Sequence, residues 1–132
     1  MIKPQKLNKG DKVATISLSS GMAGDQQFRY RYELGRRRLV ELFGLEVIAM
    51  PNSLKGSQYL YENPQARAED FMNAFKDPSI KGIFSNIGGD DTLRILPYID
   101  LDVIKENPSS LKMYKCMLIP LSLLLKPCLV AK

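Results

Sequence analysis

Three short β-rich runs, each handed on to a helix-forming stretch, constrain this chain more than any other feature. Residues 12–18, Lys-Val-Ala-Thr-Ile-Ser-Leu, alternate and are rich in β-branched side chains, which predicts a first strand. A small flexible loop follows, and Asp25 is placed to cap a helix over 26–43 with its carboxylate. Phe28, Tyr32, Leu39, Leu42 and Phe43 share one stripe of that helix, and Gly44 is a natural stop. Gly35 weakens it by about 1 kcal/mol relative to alanine. Residues 45–50 read as a second strand ended by Pro51, and 52–62 as a loop. Asn63-Pro64 is a strong helix start, a capping side chain followed by proline at the first helical position. Ala66, Phe71, Ala74 and Phe75 give that helix an apolar face up to about Lys76, and Asp77-Pro78 breaks it. Residues 81–87 form a third strand, followed at once by Gly88-Gly89 and a short helical turn from Asp90 that Pro97 limits.

Strand, helix, strand, helix, strand, glycine turn, short helix is the order of an α/β fold. It predicts a small parallel sheet of three to four strands, flanked by helices and built with right-handed crossovers. Ligands of such sheets sit beyond the carboxyl ends of the strands. Two loops occupy that edge, residues 19–24 and 88–92.

The chain has 132 residues, room for one compact domain. Apolar residues at 45% and charged residues at 25% disfavour a wholly disordered chain. The net charge of +5 aids solubility and does not by itself establish a polyanion partner. There is no histidine, so these residues hold no Ser-His-Asp triad, Cys-His dyad or His-ligated zinc. Cys116 and Cys128 are too few for a disulfide framework, and their spacing fits no common metal knuckle. The polar, basic start is unlike a secretory signal, and no run is apolar enough for a spanning helix, so a cytoplasmic location is expected.

Residues 109–132 change character. They contain no acidic residue, and seven leucines and four lysines are interrupted by Pro120 and Pro127 without a clean period. An ordinary C-terminal helix, a membrane-surface anchor and a tail translated out of frame are the alternatives, with the last favoured by the pattern.

Residues 62–108 carry a resemblance. Arg67-Ala68-Glu69-Asp70 with Ala74-Phe75 and Asp77, then Ile87-Gly88-Gly89 with Arg94 and Leu96-Pro97-Tyr98-Ile99-Asp100, then Asn107-Pro108, follow one another as in the LD-carboxypeptidase and microcin self-immunity serine peptidases. The runs GDKVATISLSS and LFGLEVIAMP agree, so the resemblance covers about residues 7–108. It implies an N-terminal α/β domain joined to a β-rich C-terminal domain. It also implies hydrolysis of an amide near a free carboxylate, in cell-wall tetrapeptides or peptidyl-nucleotide antibiotics, by a Ser-His-Glu triad without metal or other cofactor. The family serine lies in a Gly-Tyr-Ser-Asp nucleophile elbow after the strand that follows Asn-Pro. Here Pro108 is followed by SSLKMYKCMLIPLS, so the segment is absent, as is any histidine. The expectation is an incomplete N-terminal domain over 1–108, an atypical tail over 109–132, no catalytic residue, and no hydrolysis by these residues alone. A small-carboxylate or peptide binding module, and a fragment complemented by a second chain or paired as a homodimer, are the alternatives.

By the same resemblance Gly88, Gly89 and Asp90 form the substrate- or oxyanion-side loop, while a plain tight turn needs the glycines equally. Arg94 and Ser19 are candidate carboxylate contacts. Asp90, Asp91 and Thr92 read first as helix caps, and two adjacent carboxylates make a poor metal site. Arg67, Glu69 and Asp70 read as a solvated face or an internal salt bridge, and Ser17 and Ser20 as turn residues or polar ligand contacts. Arg29, Arg31, Arg36, Arg37 and Arg38 form a basic cluster interrupted by Glu33 and Glu41, which a solvated helix face explains; no nucleic-acid partner is expected.

Overall fold

The computed structural model describes residues 6–106 and 112–115. Asn107-Pro108, Cys116, Cys128 and all of the 109–132 segment except 112–115 lie outside the described residues. Four strands make one parallel sheet: β1 (Lys12–Ile16), β2 (Glu46–Ala49), β3 (Ile80–Ser85) and β4 (Lys112–Lys115), in the order β2-β1-β3-β4. The register sets Val13 beside Val47 and Gly82, and Gly82 beside Lys112. β1 is central, and Val13, Ala14 and Ile16 have no exposed surface because layers cover both of its faces. The predicted α/β architecture is the one observed.

The chain leaves β1 toward β2 and then crosses back over β1 to reach β3. With right-handed crossovers these two connections place their helices on opposite faces. The first is α1 (Arg29–Phe43), whose Tyr32 hydroxyl lies 3.0 Å from Thr15 Oγ1. The second is α3 (Pro64–Lys76), which packs on Ala14, Ile16, Ile80 and Ile83 from the other side. Ala68, Phe71, Met72 and Ala74 supply the helix half of that core. The Phe71 and Phe75 rings meet at 4.7 Å in a tilted pair.

Helix boundaries show which local signals are used and which are redirected. α3 starts at Pro64 as expected, but the Asn63 side chain does not cap it; Asn63 Nδ2 donates backward to Tyr59 O at 2.8 Å. The loop expected over 52–62 contains α2 (Ser57–Glu62). Its first turn is held by Asp25, whose Oδ1 accepts the Ser57 N–H at 2.8 Å and whose Oδ2 accepts the Ser57 hydroxyl. Asp25 therefore caps α2, not α1, and only its carbonyl receives the N–H groups of Phe28 and Arg29. α1 accordingly begins at Arg29, later than expected, and ends on Gly44 in the left-handed region.

The stripe expected on α1 is present but not buried. No α1 residue is buried, and Leu42 and Phe43 are 70% and 59% exposed. The reason is position: α1 packs beside β2, a four-residue edge strand, which offers little surface to cover it.

After β3 the chain makes a 3-10 helix over Asp91–Tyr98, which runs through Pro97 where a stop was expected. α4 (Leu101–Glu106), not foreseen from the sequence, follows. Asp100 Oδ1 accepts the N–H groups of Asp102 and Val103 at 3.0 and 3.3 Å and so starts α4. Among the described residues no helix is long and apolar enough to cross a membrane.

Candidate functional site

β1 and β3 are the neighbouring strands from which the chain departs in opposite directions, so their carboxyl ends border the crevice where parallel α/β sheets bind ligands. The Asn86 N–H bonds to Ile16 O at 2.8 Å and carries the pairing one step beyond the ladder. Beyond it lie Ser17, Leu18, Ser19 and Ser20 on one side and Ile87, Gly88, Gly89 and Asp90 on the other.

The serines of β1 divide by burial and partner. Ser17 is buried; its hydroxyl donates to Ser53 O at 2.7 Å and accepts from Asn86 Nδ2 at 3.2 Å. It ties the sheet to the loop before α2, with both bonds of its hydroxyl made inside the domain. Ser20 Oγ accepts the Met22 N–H, as a turn residue does. Ser19 Oγ accepts the Asp91 N–H at 3.0 Å. The first N–H of the 3-10 helix is therefore satisfied by a residue of the other strand end. Asp90, expected as a cap, is exposed and makes no side-chain cap bond.

Gly89 sits at φ 149°, where a side chain is strained, and a Cβ there would overlap Ser19 Oγ. Glycine is thus needed both for conformation and for close approach. Among the described residues the N–H groups of Gly88, Gly89 and Asp90 donate to no acceptor. Gly89 and Asp90 are exposed and Gly88 is half-buried.

Two arginines meet at Asp91. Arg94 Nη1 lies 3.4 Å from Asp91 Oδ2 and donates to Tyr61 O at 2.9 Å, while its guanidinium stacks 4.8 Å from the Tyr61 ring centre. Arg94 is exposed and paired with Asp91, the residue that follows the turn; Ser19, the other carboxylate candidate, is buried with its oxygen in use. Arg67 is 1% exposed. Its Nη1 donates to Leu18 O, Ser19 O and Asp91 O at 3.0, 3.1 and 3.5 Å, and its Nη2 lies 2.8 Å from Asp91 Oδ2. Among the described residues the Nε finds no hydrogen-bond partner.

Of the two expectations for Arg67, a solvated helix face or an internal salt bridge, the structure shows the second. A signal was present: it lies three before Asp70, four before Phe71 and seven before Ala74, on the buried stripe of its helix. Asp70 is buried too, and its carboxylate accepts the Asn52 N–H and the Asn52 Nδ2 at 3.0 Å each. Burial raises the Asp70 carboxyl above its usual value, against the lowering effect of those bonds. Asp70 anchors the loop before α2 and does not reach the turn. Glu69 is exposed. The basic cluster of α1 is partly neutralised on its own helix, where Glu33 pairs with Arg29 and Arg36.

In chemical terms the site offers unpaired backbone donors and a nearby guanidinium, a combination suited to a carboxylate or to the oxyanion of acyl transfer. Among the described residues no serine here has a basic partner, and no group of three carboxylates or thiols is placed to hold a metal.

Residues 13–112 match the family of the LD-carboxypeptidase N-terminal domain. YocD of Bacillus subtilis, a carboxypeptidase by name, is 26% identical over 106 residues, which are 80% of this chain and 32% of YocD. An MccF-like protein from Streptococcus pneumoniae, solved in complex with AMP, is 42% identical with a TM-score of 0.68, over 74% of this chain and 29% of its own. The microcin C7 self-immunity protein MccF, in its inactive mutant apo state, is 25% identical with a TM-score of 0.72, over 84% and 32%. The chain spans about a third of the length of these relatives. It belongs to the LD-carboxypeptidase and microcin self-immunity family, whose N-terminal domain it carries.

Proposed function

We propose that this chain supplies the N-terminal wall of a serine-type LD-carboxypeptidase cleft, binding a peptide with a free carboxyl end, and that the 132 residues alone do not hydrolyse it. The observation that carries the reading is the turn of Gly88, Gly89 and Asp90, with three unpaired N–H groups at the β1–β3 crevice. In this reading the turn receives the oxyanion or the carboxylate, and Arg94 leaves Asp91 to meet the substrate's charge. The family resemblance assigns the nucleophile to a Gly-Tyr-Ser-Asp segment and the Glu and His to a C-terminal domain. These residues contain no such segment and no histidine. Without nucleophile and base, only binding and oxyanion donors remain, about 10³–10⁴-fold over water in serine peptidases.

In this proposal residues 1–108 form the α/β domain and take β4 (Lys112–Lys115) from the 109–132 segment as their edge strand, the rest of that segment departs from the family pattern, and the cytoplasm is the site of action. The parent substrate is a cell-wall tetrapeptide or a peptidyl-nucleotide antibiotic. A related MccF structure in complex with aspartyl sulfamoyl adenosine supports the second. Because the turn is intact without a triad, a binding module for small carboxylates is the second reading, and a fragment completed by another chain follows the same geometry.

Titration of the purified 132-residue chain with an acyl-D-alanine peptide tests the turn. Saturable binding that Arg94→Ala weakens is expected, and its absence sinks the reading. An LD-linked tetrapeptide and an aminoacyl sulfamoyl adenosine, run side by side, separate the substrate classes. Turnover of either by the homogeneous chain overturns the claim of inactivity.

A further inference from the structure

All four named contacts of the Arg67 guanidinium lie outside its own helix. They are the carbonyls of Leu18 and Ser19 at the end of β1, and the carbonyl and carboxylate of Asp91 after β3. Stability alone gives weak reason for such a residue. A buried ion pair is often matched or bettered by apolar side chains of similar volume. Here the Nε also stays without a partner among the described residues. Geometry gives a stronger reason. Arg67 bridges two strand ends that nothing in α3 itself requires to be joined. The bridge then continues through Ser19, whose backbone Arg67 holds, whose Oγ accepts the Asp91 N–H, and against which Gly89 is closely packed.

We infer that Arg67 is a positioning residue: from inside the domain it sets the spacing between the end of β1 and the 88–91 turn, and so fixes the unpaired N–H groups of Gly88, Gly89 and Asp90. The inference rests on the reading of that turn as the ligand-facing edge, and adds to it a residue that never touches the ligand. It also gives Asp91 a second role. Asp91 is shared by buried Arg67 and exposed Arg94. When Arg94 turns to an incoming carboxylate, Arg67 keeps Asp91, and with it the turn, in place.

Backbone relaxation of the ¹⁵N-labelled 132-residue chain tests this. The wild-type amides of Gly88, Gly89 and Asp90 are expected near the rigid order parameter of about 0.85. Arg67→Lys keeps the charge but cannot span three carbonyls and a carboxylate. It is expected to lower those three values below about 0.6 while Ala14 and Ile83 keep theirs. Asp91→Asn, made at a partly exposed position, is expected to act in the same direction and serves if the lysine variant does not fold. A turn that stays rigid in both variants, even with a lowered melting temperature, makes Arg67 merely structural and overturns the inference; so does a turn already mobile in the wild type. N-acetyl-D-alanine is titrated into the same samples, with a loss of about tenfold in affinity expected for each variant. If the wild type does not bind it but the order parameters fall, the positioning role stands and the ligand-facing reading fails.

Discussion

α3 and α1 flank one sheet on opposite faces and are treated in opposite ways. α3 buries eight of its thirteen residues, including an arginine and an aspartate. α1 buries none of its fifteen, and Tyr30, Leu34, Val40, Leu42 and Phe43 all stand exposed. Both helices carry apolar residues at helical spacing. The difference lies in what they cross. α3 lies over β1 and β3, the interior of the sheet, whereas α1 lies beside the short edge strand β2. A helical period therefore tells where a helix forms and which stripe it offers. It does not tell whether a layer is present to accept that stripe.

Stability measurements can break or sharpen this contrast. The largest effect is expected where α3 meets the sheet. Ile83→Ala empties a fully buried site and should cost about 2–5 kcal/mol in urea unfolding. A loss below 1 kcal/mol would mean that the α3 face is as loosely packed as the α1 face.

Next comes the polar side of the same helix. Asp70→Asn turns an acceptor of Asn52 N–H groups into a partial donor and should cost about 1–3 kcal/mol at neutral pH. The folded-state carboxyl is raised by burial, so its contribution is fully present below the unfolded value of about 3.9 and is lost as pH rises through the raised folded value. The asparagine variant lacks this titration. The gap between the two proteins should therefore narrow with rising pH across that window, and a widening gap would show that the Asn52 bonds outweigh burial.

A third substitution asks whether the wired side extends to the turn. Gly89→Ala meets both a forbidden φ and the Ser19 side chain, for about 1–3 kcal/mol. Adding Ser19→Gly should recover less than the part due to overlap, since the backbone strain remains and the Asp91 N–H loses its Ser19 Oγ acceptor. Full recovery in thermal unfolding would show that φ is not fixed there.

The smallest effect is expected on α1. Leu42→Ala should change stability by no more than about 0.5 kcal/mol. A core-sized loss would mean that this stripe is covered in solution.

The sequence was informative where the signal is local. α3 was legible to the residue, because Asn63-Pro64 and Asp77-Pro78 bracket it and its apolar spacing is regular. The parallel sheet flanked by helices followed from the alternation of elements, whereas the strand order did not. α2 was not legible, because the carboxylate that holds its first turn belongs to Asp25, 32 residues away. The same fact misplaced the start of α1. α4 has a local start signal in Asp100, which the nearby Pro97 obscures in the sequence. At the site, Gly88-Gly89 stood out because glycine is costly anywhere it is not needed. Arg67 did not, because a charge on a helix is usually solvated, and only tertiary structure shows two strand ends converging on it. Ser17 and Ser19 lay at the expected edge, but their acceptors and donors come from loops far along the chain.

The loop after β1 and the loop before α2 meet backbone on backbone. A Cβ on Gly21 would strike the Gly56 carbonyl, one on Gly24 the Leu54 carbonyl, and the Asp25 carboxylate clasps Ser57. Parallel α/β proteins commonly diversify by lengthening such connections independently of one another. Here an insertion in one would displace the other, so the two loops behave as one rigid unit and the shape of this side of the crevice is adjustable only through single side chains.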